Sequence, residues 1–274
     1  MKNKAYAPMR RKENTMSNIK FQFLGTCARD FNPRLQTDLK HCFDKDARRS
    51  CSALLEGHVL IDCGIHTLEC LDIAGIPYSN ITDICMTHLH DDHFQIKHVE
   101  IIAAAKAEPL RLWVSEEANV PEIPNVTLVR MKKLVRNYMG DGIYVTGLYA
   151  NHEAVVFPQH LFIEKNGKRI LYATDGAWIE NSTYHHIRKT NIDMIAIDAT
   201  CGDYDGDYRI AEHNSISMIR CMIPSLKVMG IMDDHTKMYM THIAPSLHKS
   251  HAETEKIAEA MGIYVAYDGL EIEV

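Results

Sequence analysis

Directly after the apolar run Ile81–Met86, the chain reads THLHDDHF from Thr87 to Phe94. His88, His90, Asp92 and His93 crowd into this one short stretch, a density that a solvated turn ahead of a helix does not call for. A strand end projects residues i and i+2 to the same side, so His88 and His90 point together. The turn that follows can bring Asp92 and His93 round to a second point. Neutral imidazoles and carboxylates suit zinc, manganese or iron, and two ions about 3.5–4 Å apart need ligands at roughly this density. The segment therefore asks for a buried strand whose C-terminal end meets the ends of other strands.

The flanking sequence supplies such strands. Apolar or alternating runs predict strands at Ile19–Gly25, Cys51–Glu56, His58–Cys63, Ile81–Met86, Leu110–Val114, Val126–Val129 and Ile143–Tyr149. Further on they predict Leu161–Glu164, Arg169–Ala173, Met194–Ile197 and Met238–Thr241, with a terminal hairpin of Ile263–Ala266 and Leu270–Val274. Asn166-Gly167 marks a hairpin turn. Helices are predicted over His66–Ala74, Gln95–Ala107, about Trp178–Lys189, from near Ser215, and over Ser250–Met261. This order suggests two sheets packed together and covered outside by helices. Three more residues follow apolar runs: His152 in YANHEA, Asp175 in LYATDGA and His242 in MYMTHIAP.

The pattern H-x-H-x-D-H after a strand, followed in order by a lone histidine, an aspartate and a last histidine, resembles the metallo-β-lactamase superfamily. The resemblance implies an α/β fold, a four-layer αββα sandwich. It also implies a binuclear site, with His88, His90 and His152 on the first ion, Asp92, His93 and His242 on the second, and Asp175 bridging both. The segments RRSCSALLEGHVLIDCG and EHNSISMIRCMIP, with the C-terminal VAYDGLEIEV, resemble the PhnP-like phosphodiesterase branch. In that branch a histidine just before a helix acts on the phosphate, and His213 occupies its place; a cap on the next helix by Asn214 or Ser215 is the plainer account of that segment.

The resemblance thus implies hydrolysis of a small or cyclic phosphodiester by a water activated between two divalent ions (zinc, manganese or iron), with His213 and Asp92 as catalytic residues. Asp62 and Asp83, near strand ends, are expected to hold the outer N–H groups of ligand histidines. His235, in MDDHTK, is expected in a solvated loop. The same branch carries a cysteine-rich structural zinc loop; here CARDFNPRLQTDLKHC offers only Cys27, His41 and Cys42, so no structural zinc is expected. Arg29, Arg34 and Arg48, in and after this loop, are candidates to meet a substrate anion.

A net charge of −6 and no Gly/Lys-rich insertion disfavour the first alternative, an RNase Z-like tRNA nuclease, which needs a basic arm. The second alternative is a lactonase or thioesterase of the same fold, and a metal-binding module without catalysis is a third. None of the eight cysteines shares a C-x-x-C pair, which fits buried free thiols in a reducing, cytoplasmic setting. No run approaches the ~20 apolar residues of a membrane span. Residues 1–17 read as a disordered lead-in before one domain over 18–274, with Met16 a possible start. A homodimer is what the family implies.

Overall fold

The computed structural model describes residues 18–274; the expected lead-in and Met16 lie outside the described residues. The first half of the chain forms β1 (Lys20–Gly25), β2 (Ser52–Leu55), β3 (Val59–Ile61), α1 (Thr67–Ile73), β4 (Asp83–Cys85), α2 (Ile96–Ala104), β5 (Leu110–Ser115) and β6 (Val126–Met131). The second half forms β7 (Arg136–Gly140), β8 (Ile143–Tyr149), β9 (Gln159–Lys165), β10 (Lys168–Ala173), α3 (Asn181–Ile187) and β11 (Met194–Asp198). It continues with α4 (Ile216–Val228), β12 (Lys237–Thr241), α5 (His251–Glu259), β13 (Tyr264–Val265) and β14 (Glu271–Glu273). These make two seven-stranded sheets, ordered β14-β1-β2-β3-β4-β5-β6 and β13-β12-β11-β10-β9-β8-β7.

Strand periodicity builds the layers. Successive side chains of a strand face opposite sides, so in β11 Met194 and Ala196 enter the core between the sheets, whereas Ile195 and Ile197 face the outer helices. Between the sheets, Phe21 and Phe23 pack with Ile61, Tyr172 and Tyr239. Outside the first sheet, Leu60, Ile84 and Leu112 meet Leu71 of α1 and Val99 and Ile102 of α2. Outside the second, Ile195, Met238 and Met240 meet Ile187, Ile219, Leu226 and Ala258 of α3, α4 and α5. The result is helix, sheet, sheet, helix, as the sequence led us to expect.

Three local expectations need correction. The C-terminal strands are not a hairpin: β13 joins the second sheet parallel to β12, and β14 joins the first sheet antiparallel to β1. The chain crosses at Asp268, whose buried carboxylate takes the Thr26 hydroxyl at 2.8 Å and the Arg49 N–H at 2.7 Å, which pulls it from one sheet to the other. Strand β7 has no sequence counterpart among the expected strands. It is a polar edge strand without alternation, yet Asp141-Gly142, with φ of 48° and 74°, is a strong tight-turn signal between β7 and β8. Cys42 and Cys221 are exposed, whereas the other six cysteines are buried and free.

The long loop after β1 is clamped. Cys27 N–H donates to Arg49 O, Ala28 N–H to Ile243 O, and Ile243 N–H to Thr26 O, which stitches the two sheets at one edge. Arg48 is not a substrate contact as expected. It is buried, and its guanidinium meets Thr26 Oγ1 at 2.6 Å and His251 Nδ1 at 2.9 Å. Arg34, also proposed for a substrate anion, is exposed and stands 3.7 Å from Asp38. Arg49 is fully buried and donates to Glu69 Oε1 and to Leu39 O. Its removal leaves the buried Asp268 carboxylate, 3.9 Å away, and the buried Leu39 carbonyl without their cation, so Arg49→Ala is expected to cost on the order of 3–5 kcal/mol. The midpoint of urea unfolding measures it; an unchanged midpoint would show that the clamp carries no stability.

Candidate metal centre

The parallel strands of both sheets end at the same rim. β3 runs parallel to β4 in the first sheet, and β10, β11 and β12 run parallel in the second. Their C-terminal ends deliver Asp62, the Thr87–His93 turn, Asp175, Asp198 and His242, and the loop after β8 adds His152. The backbone bends sharply to aim these side chains: Asp62, Asp175 and His242 have φ of 61°, 53° and 54°. Left-handed backbone costs a non-glycine residue on the order of 1–3 kcal/mol, and such strain persists where the surroundings hold it. Here the strand ladders on either side do so.

All seven expected ligand residues come together, in two groups. His88 Nε2 and His90 Nδ1 stand 3.0 Å apart, and His152 Nε2 stands 3.2 Å from His90 Nδ1. Asp175 Oδ1 lies 3.7 Å from His88 Nε2 and 4.0 Å from His152 Nε2. In the second group, His93 Nε2 and His242 Nε2 are 3.3 Å apart, and Asp92 Oδ2 is 3.5 Å from His93 Nε2. Asp175 Oδ2 is 3.1 Å from both of those nitrogens. Asp175 therefore turns one carboxylate oxygen to each group.

These residues fit divalent metal ions. Two imidazole nitrogens bound tetrahedrally at about 2.0–2.1 Å from one ion stand roughly 3.3 Å apart, which is the spacing seen. Asp175 Oδ2 is buried with no hydrogen-bond donor. Asp62, Asp92, Asp175 and Asp198 are all buried here, and neither lysine nor arginine pairs with any of them among the described residues. Buried carboxylates of this kind are normally paired or coordinate metal. Burial and the neighbouring His93 push the His88 imidazole well below its ordinary pKa, which keeps it neutral with a lone pair to offer. Burial lowers the His93 value too, but the charges of Asp175, Asp92 and Asp62 outweigh it and hold it well above the ordinary value.

The outer nitrogens are also held. Asp62 Oδ2 is 2.9 Å from His93 Nδ1, while both Asp62 oxygens accept from the Thr87 hydroxyl, at 3.0 and 2.8 Å. Asp62 thus takes the place expected of it. Asp83 does not: it begins β4, at the far end from the site, and accepts from Arg111 at 2.7 Å and Trp113 at 2.6 Å. The residue missed in the sequence is Asp198. Its Oδ2 lies 3.2 Å from His242 Nδ1 and 2.8 Å from His213 Nδ1, and it accepts from Asp175 N at 3.2 Å and Thr200 Oγ1 at 3.1 Å. The signal was available, because MIAID ends in an aspartate as HVLID does at Asp62.

His213 lies beside the cluster, its ring stacked on His242 at 5.4 Å and edge-on to His152 at 5.1 Å. Burial lowers its pKa, but the Asp198 carboxylate more than offsets this and raises it to about 9. Ser215 does cap α4, accepting from Met218 N–H at 3.3 Å. Asn214 serves neither as cap nor as bystander: it donates to Gly176 O at 2.8 Å and accepts from Trp178 N–H at 2.6 Å, pinning the Asp175 loop. A cleft of about 370 Å³ opens over the cluster, lined by Arg29, Tyr208, Arg209 and Glu212 together with His90, His152 and His213. Arg29 is thus the one expected arginine that reaches the cleft. His235 is exposed, and neither Cys27, His41 nor Cys42 joins any ligand group among the described residues.

This arrangement can be set beside known structures. The metallo-β-lactamase fold protein YhfI from Bacillus subtilis superposes with a TM-score of 0.72 at 13% identity, covering 94% of this chain and 100% of its own. A diphosphatase of the PhnP family gives 0.72 at 19% identity, covering 95% and 98%.

The chain has the metallo-β-lactamase fold.

Human tRNase Z, short form, gives a TM-score of 0.61 at 17% identity, covering 92% of this chain and 98% of its own. No protein-family model matches the sequence, and no curated protein matches it. No helix among the described residues is long and apolar enough to cross a membrane.

The placement of the Asp92–His93 turn depends on Gly64. A Cβ there would stand 1.6 Å from Asp92 O and 2.9 Å from His93 N, so backbone would have to move. Gly64→Ala is expected to take up less zinc per chain on reconstitution, read by elemental mass spectrometry after desalting. Full uptake by a folded variant would show that this packing does not set the turn.

Proposed function

We propose that this chain is a metal-dependent hydrolase of phosphodiesters, using two divalent ions. The observation that carries the reading is the division of the cluster into two ligand groups that share Asp175, with His213 alongside. His88, His90 and His152 would hold one ion, Asp92, His93 and His242 the other, and Asp175 both. When bound, such ions lower the pKa of an adjacent water and offset charge on phosphoryl oxygens.

The chain's own groups supply the rest. Asp92 lines the cleft and accepts a hydrogen bond from the attacking water, fixing its direction. The water oxygen forms the new bond to phosphorus as its proton passes to Asp92 and the bond to the leaving oxygen breaks. His213, with Nδ1 tied to Asp198, gives its other ring proton to the leaving oxygen. Arg29 and Arg209 line the cleft and can meet non-bridging oxygens or a second anion. The fold is shared by proteins of several activities, so it is the site that favours this reading.

Chelated protein reconstituted with manganese or zinc should hydrolyse bis(p-nitrophenyl) phosphate but not p-nitrophenyl phosphate. No turnover of the diester with two metals bound would overturn the phosphodiesterase reading and favour thioesters, lactones or RNA. His90→Ala and Asp175→Ala should lose both metal and activity, whereas His213→Ala should keep metal and lose a factor of about 10²–10⁴ in kcat. Metal loss in the His213 variant would contradict its role.

The pH profile offers a further check. A general acid must be protonated, so activity falls as pH rises through its pKa. Asp198 raises that value in His213, to about 9. Asp198→Asn should therefore shift the alkaline limb of kcat to lower pH. A shift upward, or none, would show that Asp198 does not govern the acid.

A further inference from the structure

The two halves of the cluster are supported unequally. Around Asp92, His93 and His242, both imidazoles turn their outer nitrogens toward fully buried carboxylates: His93 Nδ1 is 2.9 Å from Asp62 Oδ2, and His242 Nδ1, 2.7 Å from the Thr200 hydroxyl, is 3.2 Å from Asp198 Oδ2. Those carboxylates are themselves held. Asp62 Oδ1 accepts from Thr87 N–H at 2.7 Å, and Asp198 Oδ1 accepts from Asn214 N–H at 2.9 Å and Thr200 N–H at 3.1 Å.

Around His88, His90 and His152 the support is thinner. His88 Nδ1 meets the Thr87 hydroxyl at 3.0 Å and reaches the Asp62 carboxylate only through it. His90 Nε2 meets Glu153 Oε2 at 3.2 Å, but that carboxylate is 48% exposed. His152 Nδ1 is buried without a hydrogen bond, and the nearest acid, Glu212 Oε2, stands 4.0 Å away and is also 48% exposed. The charge is unequal as well. The second group presents Asp92 and one oxygen of Asp175 directly, backed by Asp62 and Asp198, whereas the first presents three imidazoles and the other Asp175 oxygen.

A carboxylate behind a ligand imidazole fixes its tautomer and raises its basicity, and losing one typically costs 10–100-fold in metal affinity. A solvent-screened carboxylate gives less of this than a buried one. Resting on the two-metal reading above, we infer that the two positions differ in affinity. The ion among Asp92, His93 and His242 is the retained one, and the ion among His88, His90 and His152 is the exchangeable one. Glu153 and Glu212 are positioning residues that set how readily the exchangeable ion leaves. Glu153 lies on the loop after β8 and Glu212 on the loop before α4, each nearest a histidine of that half.

The test is zinc-loaded full-length protein equilibrated against a graded chelator series, with zinc per chain read by elemental mass spectrometry. The inference expects two steps with a plateau at one zinc. Glu153→Gln should weaken the looser step by less than the roughly 10–100-fold that loss of a buried partner costs, Glu212→Gln by less again, and both should leave the tighter one in place. Asp62→Asn should instead act mainly on the tighter step, through His93, which it meets directly. His90→Ala should retain one zinc with the tighter affinity, a readout that a general loss of folding would not give. Release of both zinc ions in a single step, or weakening of the tighter step by the glutamate variants, would overturn the inference and leave the two-metal reading standing. A protein that never takes up more than one zinc would overturn both.

Discussion

Four buried carboxylates, with no lysine or arginine paired to them among the described residues, dominate this molecule. Asp62, Asp92, Asp175 and Asp198 meet at one rim of the sandwich, where imidazoles are the ion-pair partners seen among the described residues. Desolvating that much negative charge is costly unless cations sit among the carboxylates. Much of the local structure serves to hold this arrangement. Left-handed residues end three strands, Gly64 lets one turn lie directly on another, and Asn214 ties the Asp175 loop to the segment that carries His213.

The sandwich makes such an arrangement tenable. Apolar layers on both faces of each sheet fix the strand directions, and parallel strands bring their C-terminal ends to one edge. The sheets are joined at that edge by backbone hydrogen bonds through Thr26–Ala28 and Ile243, beside the cluster. The first sheet provides the Thr87–His93 turn and Asp62, and the second provides His152, Asp175, Asp198 and His242, so neither sheet builds the site alone. Strand ends set the metal-facing atoms, and the short 3-10 helix Tyr208–Ala211 helps shape the cleft above them.

Much of this was legible in the sequence, for particular reasons. His88, His90, Asp92 and His93 announced themselves by density. His152, Asp175 and His242 did so by standing after apolar strands in a familiar order. The layers followed from alternation and from well-marked helices. What could not be read was contact between distant segments. Asp83 and Asp62 looked alike as strand-end acids, and only the strand direction places Asp62 at the site and Asp83 at the opposite end. Arg48 looked like a candidate to meet a substrate anion, but Thr26 and His251 hold it buried. The terminal strands looked like a hairpin, because nothing local reveals that Asp268 is claimed by Thr26 and Arg49 on the other sheet. Asp198 was missed although its context matched that of Asp62, since its partners His213 and His242 are remote in sequence.

The most direct test of the central claim is a crystal structure of zinc-reconstituted protein with anomalous differences collected on both sides of the zinc edge. The account predicts two zinc peaks, one among His88 Nε2, His90 Nδ1 and His152 Nε2, the other among Asp92, His93 Nε2 and His242 Nε2, with one Asp175 oxygen on each. A single peak, or zinc bound elsewhere with this cluster empty, would contradict it.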